Sequence, residues 1–204
     1  MKRIIFATRN IGKFNELKGM MGEREIELIS LRDLPHLPEV EEDGGTYAEN
    51  ALKKAKAIFA ITGEYVLADD SGIEVEVLNG APGVHSARYA GKNATDWENM
   101  EKLLAAMKDI PWEKRKALYR CVLVFYNPAK GYDMFEGNWS GIVYDRPMGT
   151  GGFGYDPIFY LPELKMTAAQ LPMDLKNRLS HRGQAFARFI AHLNKLKSGR
   201  SAAW

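Results

Sequence analysis

The stretch Val66-Leu67-Ala68-Asp69-Asp70-Ser71-Gly72 decides how the rest of the chain is read. Three apolar residues after a helix stop at Gly63 predict a short buried strand. That strand runs directly into two carboxylates, a hydroxyl and a glycine. Open α/β sheets hold ligands at the carboxyl ends of their strands, so an α/β fold with a site at this edge is expected. Side chains alternate along a strand, which sends Asp69 and Asp70 to different sides. One can then face a ligand or metal while the other anchors the turn. Asp, Ser and Gly are also the commonest turn residues, and from these seven residues alone an acidic turn is the simpler account.

The chain has 204 residues, 46% hydrophobic and 26% charged, which suits one domain of one or two lobes with a sizeable core. A net charge of +2 is too mild to argue for nucleic acid. The single cysteine, Cys121, lies in the apolar run 118–126 and reads as a small buried residue in a reducing cytoplasm. Lys2 and Arg3 precede only Ile4-Ile5-Phe6-Ala7, too short for a signal-peptide core. No run reaches the ~18 apolar residues of a membrane helix. Residues 1–197 read as one α/β domain and 198–204 as a flexible tail.

Toward the amino end, Arg3–Ala7 predicts a buried strand and Thr8-Arg9-Asn10-Ile11-Gly12-Lys13 a strand-to-helix turn. Phe14, Leu17 and Met20 or Met21 then recur at helical spacing up to Gly22. Backbone N–H groups at a helix start, with a lysine beside them, form a natural phosphate site. This is not a Walker A loop, because the Gly-Lys-Ser/Thr ending is absent. A solvated Lys13 is the competing reading. Glu25–Ser30 predicts a second strand. Glu39, Glu41, Glu42 and Asp43 form an acidic cluster ahead of a capping box, Thr46-Tyr47-Ala48-Glu49. The helix it opens is expected to bury Ala48, Ala51, Leu52, Ala55 and Phe59, with Lys54 one turn after Asn50 and off that stripe. The acidic cluster is either a solvated loop or the source of one glutamate that joins Asp70 on a divalent cation. Hard oxygen ligands suit Mg²⁺.

Toward the carboxyl end, Ile73, Val75 and Val77 alternate with Glu74 and Glu76, as in a half-exposed strand. A glycine- and proline-punctuated loop, 80–91, carries Ser86, Arg88 and Tyr89. The capping box Thr95-Asp96-Trp97-Glu98 opens a helix over Met100, Leu103, Leu104 and Met107. Ala117–Tyr126 is apolar on both faces and predicts a central strand; 132–143 predicts two strands bent at Gly137 and Gly141. Gly149, Gly151 and Gly154 spell G-x-G-x-x-G. A dinucleotide site is rejected, because Asp156-Pro157 and an apparent strand, 158–160, follow where a helix should open. The expectation is a loop lying close to a flat ligand, with Phe153 or Tyr155 stacking on a base. A glycine hairpin with core aromatics is the alternative. Phe186, Phe189, Ile190, Leu193 and Leu196 predict a last helix to about Lys197, with Ser180 as N-cap. His181 and Arg182 then fall in the first turn, where cations are disfavoured unless they face a carbonyl oxygen or an anion. Lys176 lies just ahead.

These segments together resemble the inosine triphosphatase, or Ham1/RdgB-like, family of non-canonical purine NTP pyrophosphatases. The resemblance runs from Ile4 to about Leu193. Its carriers are Ala7–Lys13, Glu42–Ala51, Ala68–Gly72, Gly80–Gly91, Gly149–Pro157 and Ser180-His181-Arg182. Each is weak alone; their order is specific.

The resemblance implies an α/β fold: a long twisted mixed sheet flanked by helices, in two lobes with the site in the cleft between them. It implies hydrolysis of ITP, dITP and XTP to monophosphate and pyrophosphate with Mg²⁺, cleansing the nucleotide pool, by a cytoplasmic homodimer without membrane or stable nucleic-acid partners. By motif position, Thr8, Arg9, Asn10, Ile11, Gly12 and Lys13 would hold the triphosphate, helped by Lys54. Glu42 and Asp70 would hold Mg²⁺. Asp70 would also be the general base, and Ser71 would touch the substrate. Phe153, Gly154, Tyr155 and Asp156 would frame base and sugar. Lys176, His181 and Arg182 would contact the nucleobase. Arg182 offers donors only, so it suits a 6-oxo purine and meets the 6-amino group of adenine donor to donor. One departure is Gln170, where the family commonly has glutamate; base preference is the property this touches. A catalytically silent nucleotide sensor and a nucleic-acid binder using Lys13, Arg88 and the basic last helix are the other classes open to such a chain.

Overall fold

The computed structural model describes residues 3–200, with side chains described as far as Leu196. The elements are β1 (Arg3–Phe6), α1 (Ile11–Met21), β2 (Glu27–Ser30), α2 (Tyr47–Thr62), β3 (Val66–Val75), α3 (Asp96–Ala106), β4 (Lys116–Asn127), β5 (Gly131–Val143), β6 (Phe159–Leu161), β7 (Met166–Thr167), α4 (Met173–Leu179) and α5 (His181–Arg200). They make a seven-stranded sheet in the order β2-β1-β3-β4-β5-β6-β7. β1 pairs in parallel with β2 and β3, while β6 is antiparallel to β5 and β7, so the sheet is mixed. Among the described residues no helix is long and apolar enough to cross a membrane.

The chain forms two compact units. The first comprises the described residues up to Asp70, Val122–Gly137 and those from Arg182 on. Its core sets Ala51, Ala55 and Ile58 of α2 against Ile5, Val66, Ala68 and Val124. The two alanines have almost no side-chain depth, which lets α2 lie close to the strands. The second unit is Ser71–Cys121 with Asn138–His181. Its core gathers Ile73, Val75, Met100, Leu103, Tyr119, Trp139, Tyr155 and Phe159.

Both capping boxes form. Thr46 Oγ1 accepts the Glu49 N–H at 3.1 Å and Glu49 Oε2 accepts the Thr46 N–H at 3.1 Å; Thr95 and Glu98 repeat the pattern at the start of α3. Cys121 is buried, as expected.

Four expectations need correction. Asp69-Asp70-Ser71-Gly72 is not a turn: β3 runs unbroken from Val66 to Val75, and Glu76–Leu78 is a 3₁₀ turn rather than more strand. Buried partners for both aspartates override their turn preference, as tertiary contacts often do in strands. Residues 131–143 form one strand, not two. Gly141 is there for packing: a Cβ on it would come within 2.7 Å of the Phe159 ring. The buried side of α2 is Tyr47, Asn50, Ala51, Lys54, Ala55 and Ile58, so Lys54 lies on the inward stripe, not off it. Finally, a separate helix, α4, precedes α5, and Ser180 joins the two in extended conformation. α5 continues to Arg200; of the expected tail, residues 201–204 lie outside the described residues.

Candidate active site

The first unit gathers the residues expected at the phosphates and metal. β1 ends at Phe6 and α1 starts at Ile11, with Asn10 as its N-cap: Asn10 Oδ1 accepts the Lys13 N–H at 3.1 Å. Thr8 Oγ1 accepts the Asn10 N–H at 3.1 Å. Side chains of the turn therefore fix the backbone that a phosphate would meet at the helix start. Ile11 and Gly12 supply the first residues of that helix. Arg9 turns elsewhere, donating to the carbonyls of Leu31 and Leu37 at 2.9 and 2.8 Å. It clamps the loop after β2 to the phosphate turn.

Lys13 is not a solvated lysine. Its ammonium lies 2.8 Å from Asp69 Oδ2. Lys54 donates to Glu42 and to the Asp69 carbonyl. Within the acidic cluster Glu39 and Glu41 are exposed, Asp43 pairs with Lys53, and only Glu42 turns inward. Asn50 Nδ2 donates to Asp70 Oδ2 at 2.9 Å, and Asn50 Oδ1 accepts the Gly44 N–H at 2.8 Å. One amide thus ties the Glu42 loop to Asp70. Asn50 was not singled out from the sequence, although its i,i+4 spacing to Lys54 puts both on one helix face.

The two neighbouring aspartates are tuned in opposite directions. Burial opposes the charge of Asp69, but Lys13 and Lys54 outweigh it and hold its carboxyl below the ordinary carboxylate range. Burial, reinforced by the charge of Glu42, pushes Asp70 up in spite of Lys54 and Lys13. Asp69 is thereby a standing counter-charge, and Asp70 a better base. Carboxylates whose environments drive them apart are the usual mark of divided acid–base roles. Lys13 is raised: burial loosens its proton, but Asp69 and Asp70 hold it more strongly.

The donor set fits a hard divalent cation. Glu42 and Asp70 are oxygen donors close enough for their charges to oppose each other. Among the described residues there is no cluster of three or more His, Cys, Asp or Glu that could cage a metal, so phosphate oxygens or water would complete the shell, as Mg²⁺ usually requires.

Arg182 in α5 pairs with Glu16 in α1, Nε to Oε2 at 2.6 Å, with both side chains buried. This answers why a cation tolerates the first turn of α5: a carboxylate faces it. Glu16 is another residue missed from the sequence, where its place three after Lys13 on the same helix face was the available signal.

The second unit gathers the residues expected at the base other than Arg182, which belongs to the first. Asp156 is its hub. Asp156 Oδ2 accepts from Lys176 Nζ at 2.6 Å and from the Phe153 N–H at 2.8 Å. The Lys176 ammonium also lies over the Phe153 ring, 5.0 Å from its centre. Gly152 makes room: at φ +72° it adopts a backbone unfavourable to other residues, and a Cβ would meet Asp156 Oδ2 at 2.1 Å. Gly149 and Gly151 likewise abut Ala169, whose carbonyl accepts the Gly151 N–H at 3.0 Å. The Gly154 N–H goes to Asp96 Oδ2 at 2.7 Å. Most of these glycines therefore serve the loop's own packing, and the loop is held through Phe153, Gly151 and Gly154. Tyr155 faces inward; its hydroxyl donates to the Ser86 carbonyl at 2.8 Å, and burial pushes its pKa far up. It belongs to the core cluster. His181 is fully buried and lies flat against Tyr119, ring centres 4.4 Å apart at 8°. Ser71 follows Asp70 in β3, half-buried.

Gln170 has a local task. Its Oε1 accepts the Thr167 N–H at 2.9 Å in a capping box, and Thr167 Oγ1 donates to the Met148 carbonyl at 2.6 Å. A glutamate could accept the same bonds, so the departure from the family pattern leaves this anchor intact.

Residues 4–192 match the Ham1 family. The chain is 48% identical over 193 residues to the dITP/XTP pyrophosphatase of Geobacter sulfurreducens, spanning 95% of this chain and 97% of that protein. The structure of a HAM1 protein from Coxiella burnetii aligns with a TM-score of 0.86 at 41% identity, covering 96% of this chain and 100% of its own. The Staphylococcus aureus Ham1 protein gives 0.84 at 41% identity, with 95% and 99% covered. Matched along nearly its whole length, the chain belongs to the Ham1 family.

Proposed function

We propose that this protein hydrolyses deaminated purine nucleoside triphosphates (ITP, dITP and XTP) to the monophosphate and pyrophosphate, and so cleanses the nucleotide pool. One observation carries the reading: Asp70, held by Asn50 Nδ2 at 2.9 Å, is buried beside Asp69, whose carboxylate pairs with Lys13 at 2.8 Å and whose carbonyl accepts from Lys54, the lysine that also reaches Glu42. That is a base beside fixed positive charge, the combination phosphoanhydride hydrolysis needs. The 48% identity to a dITP/XTP pyrophosphatase supports the same reaction and substrates.

Water adds across the bond between the α- and β-phosphoryl groups, Asp70 takes its proton, and the pyrophosphate oxygen leaves. Asn50 holds the Asp70 carboxylate in orientation. Lys13 and Lys54 neutralise phosphate charge, and the α1 start cradles the phosphates with backbone N–H groups. Glu42 and Asp70 would hold Mg²⁺, which supplies charge neutralisation on the phosphoryl oxygens when bound. Arg182, oriented by Glu16, presents donors that suit a 6-oxo purine and oppose a 6-amino one; buried polar mismatches of this kind can discriminate by up to ~10⁴-fold. A homodimer acting in the cytoplasm completes the proposal, as the family resemblance implies.

The test is incubation with ITP and Mg²⁺, with pyrophosphate and orthophosphate assayed separately and ATP and GTP alongside. Pyrophosphate released from ITP far faster than from ATP or GTP, and lost in Asp70→Asn, supports the reaction. Orthophosphate alone would place the scissile bond wrongly, and binding of ITP without turnover would favour a sensor.

A further inference from the structure

We propose that Tyr119 is a positioning residue for nucleobase recognition, the inner support against which His181 is set; this rests on the reaction proposed above. Tyr119 projects from β4, the middle strand of the sheet order, and is 6% exposed. Its ring meets Phe159, centres 4.3 Å apart at 44°. Phe159 in turn meets Trp139, 5.3 Å at 48°. Gly141 in β5 leaves the space that Phe159 fills. The imidazole of His181 lies parallel to the Tyr119 ring. Pairwise contacts thus link four rings in series, Trp139, Phe159, Tyr119 and His181, the last a residue expected at the base.

Such a series does what a single packing contact does not. Rings have few rotamers and little entropy to lose, so each fixes the next. His181, at the first position of α5, cannot tilt toward Tyr119 without moving the other rings. The Tyr119 hydroxyl lies 3.5 Å from Asp156 Oδ1, the carboxylate that also carries Lys176 and the Phe153 N–H. That contact is long for a hydrogen bond, so the ring face rather than the hydroxyl carries the effect. Tyr119 thus touches two residues of the base-recognition set, His181 and Asp156, while remaining a core residue itself.

The experiment measures kcat and KM for ITP and ATP in the wild type, Tyr119→Phe and Tyr119→Leu, with a double-mutant cycle against His181→Gln. Tyr119→Leu is expected to raise KM for ITP about tenfold with kcat little changed, and to narrow the preference for ITP over ATP. Tyr119→Phe keeps the ring and stays within about threefold of the wild type. In the His181→Gln background the leucine substitution adds little, because the supported residue is gone. Should the leucine variant fail to fold, Tyr119→Met, which refills the volume with a flexible chain, replaces it with the same expected direction. A leucine or methionine variant that loses thermal stability while keeping wild-type KM and selectivity overturns the proposal, as does full additivity with His181→Gln. A wild type that turns over no ITP overturns the reaction and this proposal together, a pattern unlike either of those.

Discussion

The two ion pairs Lys13–Asp69 and Lys176–Asp156 look alike on paper and differ in kind. In the first unit Lys13 sits at a helix start with its side chain 16% exposed, beside backbone donors arranged by Asn10 and Thr8. In the second unit Lys176 and Asp156 are 2% and 1% exposed, and the same carboxylate also bonds the glycine loop. In the first pair water reaches the cation although Asp69 itself is only 1% exposed, so Lys13 can meet a phosphate while keeping its carboxylate. The second is a fixed strut. On the proposed function, phosphates would meet charge that stays available and the base a shape built in advance.

Asp70→Asn tests the first side most directly. It removes the proposed base, and kcat should fall by about 10²–10⁴ while nucleotide still binds, as seen by equilibrium titration. The two lysines then separate the regions. Lys176→Met leaves Asp156 buried without its cation and should cost about 3–5 kcal/mol in denaturant unfolding. Lys13→Met leaves Asp69 buried but with Lys54 still beside it, so it should cost less in stability than Lys176→Met, yet raise KM for the triphosphate about tenfold or more. Equal stability losses would break the comparison. Arg9→Ala releases two carbonyls of the loop after β2 and should cost about 1–2 kcal/mol, with KM rising far less than for Lys13→Met. A KM as high as that of Lys13→Met would make Arg9 a phosphate ligand rather than a clamp. Gln170→Glu should be neutral within about 0.5 kcal/mol, and Gln170→Ala should lose about 1 kcal/mol with the capping box.

The smallest effect concerns pH. Glu98 caps α3, whose Asp96 holds the Gly154 N–H, and bonds from Thr95 keep the Glu98 carboxyl below its ordinary value of 4.5. A depressed folded-state value means the stabilisation is present above the unfolded value and lost as pH falls through the folded one. Acid titration below about pH 4.5 should therefore loosen the start of α3, and Glu98→Gln should remove that slope. Amide exchange at the first turn of α3 reads it.

Much of this was legible in the chain. The capping boxes Thr46/Glu49 and Thr95/Glu98 and the turn into α1 depend on residues within a few positions of one another, and each formed as expected. The errors came where distant residues decide. Asp69 to Gly72 carry turn chemistry, yet buried partners on α1 and α2 keep them in a strand. Lys54 looked peripheral because a lysine is expected outside, and nothing local reveals Glu42 and the Asp69 carbonyl waiting for it. That the glycine loop also needs small residues for its own packing, with Ala169 and Asp156 filling the space beside Gly149, Gly151 and Gly152, is likewise invisible locally.

Composition, periodicity and motif order by themselves determined an α/β chain, its helix starts, the family and the carboxylates and lysines worth testing, because those signals are local or are carried whole in the order of the motifs. Only the tertiary structure decided which carboxylate answers which cation, that Asp69 and Asp70 are tuned apart, and that His181 rests on Tyr119, 62 positions earlier in the numbering. The physical reason is that charge and burial act through space: a side chain's ionisation and orientation depend on whatever folding brings within a few ångströms, whatever its distance along the chain.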